Sequence, residues 1–352
     1  MALGPIMADL QGPVLTAEER EILQHPLIGG AILFSRNYQN SNQLIELVDD
    51  IHGLRSPRLL IGVDQEGGRV QRLRSGFTPL PALNVIGATF DMNRRKGVVL
   101  AENCGWLMAS ELRTVGIDFS FAPVLDLSAG VSAVIGDRGF HADPDAISWL
   151  AQAYMKGMNA AGMSAVGKHY PGHGSVRADS HDETPIDDRD FADIRAKDLI
   201  PFRRLVPSGM TAVMPSHVIY PRVDALPAGF SRVWLDDILR RDLGFQGTIF
   251  SDDINMVGAA VAGDFPERAR AAIDAGCDVV LICNQREGLI GVLDTLTHAS
   301  EPLAQVRLMR MHGRGALTRD ELHEDPRWQR VAAELRALDS SPELHPDGDR
   351  PA

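Results

Sequence analysis

Between Lys168 and His181 the chain reads Lys-His-Tyr-Pro-Gly-His-Gly-Ser-Val-Arg-Ala-Asp-Ser-His. The glycines and proline impose an irregular loop, and loops on a rigid scaffold are where chemistry concentrates. Asp179 and His181 stand two residues apart, so on an extended loop both can lie on one side and hydrogen-bond. A carboxylate on one imidazole nitrogen fixes the tautomer and raises basicity, leaving the other nitrogen to exchange protons. A second cluster, Ser251-Asp252-Asp253, closes an apolar run. An aspartate there can act as nucleophile, base or metal ligand. Consecutive strand side chains diverge, which assigns chemistry to Asp252 and a structural role, such as capping the next helix, to Asp253. A third segment, Asp64-Gln65-Glu66-Gly67-Gly68-Arg69-Val70-Gln71-Arg72, joins an acid to a glycine turn and arginines, a set suited to binding hydroxyls. Arg138 sits in another glycine-bounded turn, where it can anchor substrate or pair with Asp137.

These residues need elements that bring them together. Short apolar runs recur at Ile6 to Leu10, Gly30 to Phe34, Leu59 to Asp64, Ile117 to Leu125 (broken by Pro123), Met163 to Lys168, Thr211 to Ser216, Gly247 to Asp252 and Asp278 to Cys283. Amphipathic segments lie between them, among them Ser41 to Leu54, Val98 to Val115, Pro144 to Ala161 and Asp190 to Leu205. Continuous apolar strands alternating with helices predict parallel strands buried on both faces. Eight such units fit a single-domain α/β fold, the (β/α)8 TIM-type barrel, better than an open doubly wound sheet. The turn after the first run reads Gln11-Gly12-Pro13, without the glycine fingerprint of a dinucleotide fold. Asp64, Asp126, Lys168 with His169, His217 and Asp252 all fall where an apolar run stops. In a barrel those positions converge on the face where active sites are built. One acid at a strand end fits helix capping; five such positions in register do not. Residues 1–338 are expected to form the barrel with helices beyond Asn284 packed outside it, and Pro326 to start the last of these. The Pro-, Asp- and Ser-rich residues 339–352 are expected to be disordered.

Composition excludes several partners. A formal charge of -12 and a pI near 5.4 argue against nucleic acid and anionic membrane surfaces, both of which require basic patches. Arg94-Arg95-Lys96 is too short to overturn that. Cys104, Cys277 and Cys283 lack metal-ligand spacing and read as buried hydrophobes in a reducing compartment. The N-terminus has no basic segment or long apolar core of a signal peptide, and no apolar run approaches the roughly 20 residues of a membrane span. A cytoplasmic monomer is expected.

Together these segments resemble glycoside hydrolase family 3, and within it the bacterial β-N-acetylglucosaminidases. The resemblance is carried by Gly62 to Val70, Gly136-Asp137-Arg138, the Lys168–His181 loop and Phe250-Ser251-Asp252-Asp253. Leu226 to Ser231 and Ala275 to Asp278 support it, and it runs from the first strand to about Asn284. The long Lys-His-x-Pro-Gly-x-Gly…Asp-Ser-His pattern is the most specific part. The resemblance implies Asp252 as catalytic nucleophile and His181 as general acid/base oriented by Asp179. It implies sugar binding by Asp64, Arg72, Arg138, Lys168 and His169, with no metal and no organic cofactor. The implied substrate is an N-acetylglucosaminide, in cells a muropeptide fragment of peptidoglycan recycling. Asp182 and Val257 depart from the common pattern.

The expected reaction is a retaining double displacement. A histidine acid does not repel an anion once deprotonated, so phosphorolysis to a sugar 1-phosphate is an alternative, as is family 3 β-glucosidase activity. A metal-dependent hydrolase would use His169, His173, His181 and Asp252, but such sites draw on histidines of several strands, and the first run ends in Asp9. A binding barrel without catalysis would have lost one of Asp252, Asp179 or His181. His173 is expected to shape the loop by hydrogen bonding, and His217 to line the pocket floor or sit in the core. Trp106, Trp149 and Trp234 are expected in helix packing.

Overall fold

The computed structural model describes residues 2–180, 183–297, 301–315 and 317–338. Eight parallel strands close a barrel: β1 (Ile6–Asp9), β2 (Ile28–Leu33), β3 (Leu60–Val63), β4 (Phe119–Ser120), β5 (Ser164–Tyr170), β6 (Ala212–Pro215), β7 (Thr248–Asp253) and β8 (Val279–Ile282). Around the ring they follow chain order, and β8 pairs back onto β1. Every residue of β2 and β5 is buried, as coverage by helices outside and side chains inside demands. The fold is the expected (β/α)8 barrel.

Two local expectations change. The apolar run from Ile117 to Leu125 yields only the two-residue strand Phe119–Ser120. Pro123 has no N–H to give the ladder, and pairing resumes as a bridge between Val124 and Lys168. The segment from Asp190 to Leu205 is two helices, Phe191–Ala196 and Leu199–Leu205, parted at Lys197 and Asp198.

The barrel interior has an aromatic floor. Phe119 of β4 lies 5.1 Å from Phe121 and 5.2 Å from Phe250 of β7, centroid to centroid, and Phe121 lies 5.5 Å from Phe250. Strands three places apart in the ring can meet this way only across the interior. Gly62 in β3 makes room for it, since a Cβ there would stand 2.7 Å from the Phe119 ring. Polar strand ends therefore project above a closed apolar plug rather than into a channel.

Helix boundaries follow local chemistry. Thr16 and Glu19 form a reciprocal capping box before the first helix, and Asp264 with Glu267 forms another before Phe265–Ala275. That second helix ends at Gly276, whose φ of 119° suits glycine. Beyond β8 the chain packs outside the barrel: Trp328 Nε1 donates to Glu111 at 2.9 Å, and the Arg327 guanidinium lies 4.0 Å over Trp106. Pro326 starts the last helix, Pro326–Leu338. At the N-terminal end of the barrel fully buried Asp118 ties this extension down. It accepts the Gly313 N–H at 2.9 Å, the Ile61 N–H at 3.0 Å and Arg58 at 2.9 Å. Trp106 and Trp234 are buried as expected; Trp149 is 60% exposed, on the outer face of its helix. The tail 339–352 lies outside the described residues. No described helix is long and apolar enough to cross a membrane.

Candidate active site

At the C-terminal rim, β3, β4 and β5 supply a buried ion-pair array. Lys168, in β5 and fully buried, donates from Nζ to Asp64 Oδ1 at 2.9 Å and contacts Glu66 Oε1 at 2.6 Å. Arg138 clamps the same glutamate through Nε and Nη2, both at 2.9 Å. Burial alone would raise the Glu66 pKa, but Arg138 and Lys168 outweigh it and hold the carboxyl well below its ordinary range. Burial likewise favours neutral Arg138, and Glu66 reverses that, pushing its pKa up. Arg138 thus turns inward to Glu66, while Asp137 pairs with Arg69 at 3.2 Å. Asp64 and Glu66 can both reach Lys168 because they are two residues apart on extended chain.

The turn that delivers them needs its glycines. Gly67 and Gly68 have φ of 116° and 54°, and a Cβ on Gly67 would stand 2.5 Å from the Pro81 carbonyl oxygen. The short strands Gln65–Gly67 and Val70–Gln71 pair across it. They bring Arg72 back beside β3, its N–H donating to the Asp64 carbonyl at 3.3 Å and its guanidinium 5.9 Å over the Phe34 ring. Arg72 is 6% exposed.

Asp126, just beyond β4, organises the loop after β5. Its Oδ2 takes His169 Nδ1 at 2.6 Å and its Oδ1 accepts the His173 main-chain N–H at 2.6 Å. Burial opposes its charge, yet His169 and the His173 N–H prevail and hold its pKa down. His173 shapes the loop through its main chain rather than its ring, whose nitrogens find no partner among the described residues. Burial pushes the His173 pKa down.

Opposite β3 in the ring stands β7, with Asp252 buried at its end and 3% exposed. Asp252 Oδ1 accepts the Asp253 N–H at 2.8 Å. Asp253 faces the other way and accepts the main-chain N–H groups of Asn255 at 3.1 Å and Cys283 at 3.0 Å. It therefore ties β7 to β8 instead of capping a helix, and burial pushes its pKa well up. His217, beyond β6, donates from Nε2 to the Asp253 carbonyl at 3.0 Å and packs on Phe230. That is a packing role beside the site, and burial lowers its pKa.

The loop carrying Asp179 is anchored on both sides. Ser175 Oγ donates to Asp198 at 3.3 Å, and Arg189 spans Asp198 at 2.8 Å and Asp187 at 2.6 Å. Asp179 is half-buried and Ser180 buried. His181 lies outside the described residues. Among the residues described, no group of three or more His, Cys, Asp or Glu side chains is arranged to hold a metal ion.

The structure thus gathers Asp64, Arg138, Lys168 and His169 on one side of the mouth, with Arg72 beside Asp64 and Asp252 opposite. Glu66 and Asp126 received no site role from sequence alone. The strand-end position placed Asp126 at the rim without revealing its partners, and the two-residue step from Asp64 could have flagged Glu66.

The family model for the glycosyl hydrolase family 3 N-terminal domain matches residues 7–311. A β-hexosaminidase of Thioalkalivibrio sulfidiphilus is 55% identical over 347 residues, covering 99% of this chain and 100% of the relative. One of Alkalilimnicola ehrlichii is 52% identical, covering 97% and 99%. NagZ from Neisseria gonorrhoeae in complex with N-trifluoroacetyl-D-glucosamine superposes with a TM-score of 0.92 at 46% identity, covering 97% of this chain and 99% of that one. A family 3 β-N-acetylglucosaminidase from Paenibacillus gives 0.82 at 29% identity, covering 94% and 66%.

Proposed function

The chain belongs to glycosyl hydrolase family 3 and is a glycoside hydrolase of the β-N-acetylhexosaminidase kind, and from that premise we propose a retaining exo-β-N-acetylglucosaminidase. Asp252 attacks the anomeric carbon while His181, oriented by Asp179, protonates the departing oxygen. The bond to the leaving group breaks and a glycosyl ester on Asp252 forms. His181 then takes a proton from water, which attacks the same carbon and frees Asp252.

The observation that carries this reading is the buried carboxylate of Asp252 at the end of β7, across the mouth from the Lys168 array. Asp64, Lys168, Arg138 and His169, with Arg72, offer acceptors and donors suited to the hydroxyls of one terminal pyranose ring. That placement supports an exo action. The natural substrate we propose is N-acetylglucosamine linked β-1,4 to 1,6-anhydro-N-acetylmuramoyl peptides, cleaved in the cytoplasm during peptidoglycan recycling by a monomer that needs no metal or cofactor. Support for this finer reading is the close similarity to β-hexosaminidases and to NagZ.

The test is hydrolysis of matched aryl β-N-acetylglucosaminide and aryl β-glucoside by the wild type and Asp252→Ala. The wild type is expected to prefer the acetamido sugar strongly, and the variant to fall to the background rate on both. Equal wild-type rates on the two sugars would overturn the sugar assignment; an active Asp252→Ala enzyme would overturn the mechanism.

A further inference from the structure

The stems of the Asp179 loop are fixed by Asp198, as described above, and its tip meets the barrel at a glycine. The Gly258 N–H donates to the Ser180 carbonyl at 2.9 Å. That carbonyl belongs to the peptide group joining Ser180 to His181. Gly258 itself lies six residues after Asp252, in the turn Val257–Ala262 that leaves β7. We propose that Gly258 is a positioning residue for proton transfer: a side-chain-free latch that seats the tip of the acid/base loop against the loop carrying the nucleophile. This rests on the reading of His181 as general acid/base.

The reason for glycine here is space, since the backbone of Gly258 does not adopt the left-handed region. A Cβ would stand 3.0 Å from His217 Cβ and 3.3 Å from Ser180 Cβ, closer than packed carbons normally approach. One neighbour must yield. His217 is held by its Nε2 bond to the Asp253 carbonyl at 3.0 Å and by Phe230, with ring centroids 5.2 Å apart. With His217 so held, added volume at residue 258 bears on Ser180 and on the loop tip it belongs to. His217 thereby acquires a function as the wall against which the latch is set.

Gly258→Ala tests this with aryl β-N-acetylglucosaminides that share a sugar and differ in leaving-group pKa. A displaced general acid matters most where the leaving oxygen needs a proton. A misplacement near 1 Å costs on the order of 10²-fold, and the few tenths of an ångström demanded here should cost roughly 4- to 10-fold in kcat/KM on a poor leaving group. With a strongly activated nitrophenol the loss should stay within about 3-fold, because such a group departs without the proton. The ratio of the two rates is independent of how much protein is folded, so a partly unfolded variant still answers. His181→Ala is run alongside. If His181→Ala steepens the leaving-group dependence and Gly258→Ala does not, or slows both substrates equally, the latch is wrong. If His181→Ala shows no such dependence, the acid/base reading fails first and takes the latch with it.

Discussion

Glu66 offers the sharpest test of the array around Lys168. Its side chain is 1% exposed and faces two cations, Arg138 through two contacts of 2.9 Å and Lys168 at 2.6 Å. Glu66→Gln preserves the shape but removes the negative charge, leaving two buried cations with Asp64 and the more distant Asp126 to offset them. Breaking a buried pair in this way costs about 3–5 kcal/mol. For a large domain each kcal/mol moves the melting temperature by about 2 °C, so a fall of roughly 6–10 °C at pH 7 is expected. The pH dependence follows from the depressed pKa. Such a carboxylate adds stability that is fully present above its unfolded value of about 4.3 and is lost as pH falls toward its lower folded value. The gap between wild type and variant should therefore be widest near neutrality and narrow in acid below about pH 4. Thermal melts at pH 7 and in a stepped acid series measure this. A variant melting with the wild type at neutral pH, or a gap that does not close in acid, would refute the argument that the array is held by charge.

Two further outcomes are expected. Asp118→Asn, at the opposite end of the barrel, removes the charge that Arg58 and two main-chain N–H groups converge on. The loss should be about 3–5 kcal/mol, with kcat/KM at temperatures well below melting unchanged. Burial opposes the Asp118 charge, but His312, His52 and Arg58 hold its pKa down, so this difference too should vanish in strong acid. A variant whose activity falls in step with its stability would contradict the separation. His181→Ala should retain more activity on activated aryl substrates than on poor ones, read from the slope of log kcat/KM against leaving-group pKa; an unchanged slope would remove its acid role.

Much of this architecture is readable from apolar runs alone, because a strand buried on both faces must be apolar along its length. Polar residues at the close of five such runs locate the rim without any knowledge of the fold. What the one-dimensional pattern hides is partnership. Asp126 and His169 are 43 positions apart and meet only because β4 and β5 are neighbours in the ring. Asp118 reaches Gly313 across 195 positions, through an extension whose docking no periodicity announces. Trp149 misleads for a different reason: a helical spacing shows which face a residue lies on, not whether another element covers that face.

The pair Asp252-Asp253 shows how a period of two distributes one chemistry over two tasks. Phe250 and Asp252 share the inner face of β7, so the residue that closes the aromatic floor also sets the height at which the carboxylate emerges. Ser251 and Asp253 share the outer face, where Ser251 Oγ accepts the Leu281 N–H at 3.0 Å and Asp253 accepts the Cys283 N–H at 3.0 Å. Both outer residues thus bond β7 to β8 across the register shift between Phe250 and Asp253, and those bonds oppose any further slip. A one-residue slip would exchange the two aspartates, presenting Asp253 to the mouth and burying Asp252 between strands. The inert carboxylate is therefore part of what keeps the reactive one facing the Lys168 array.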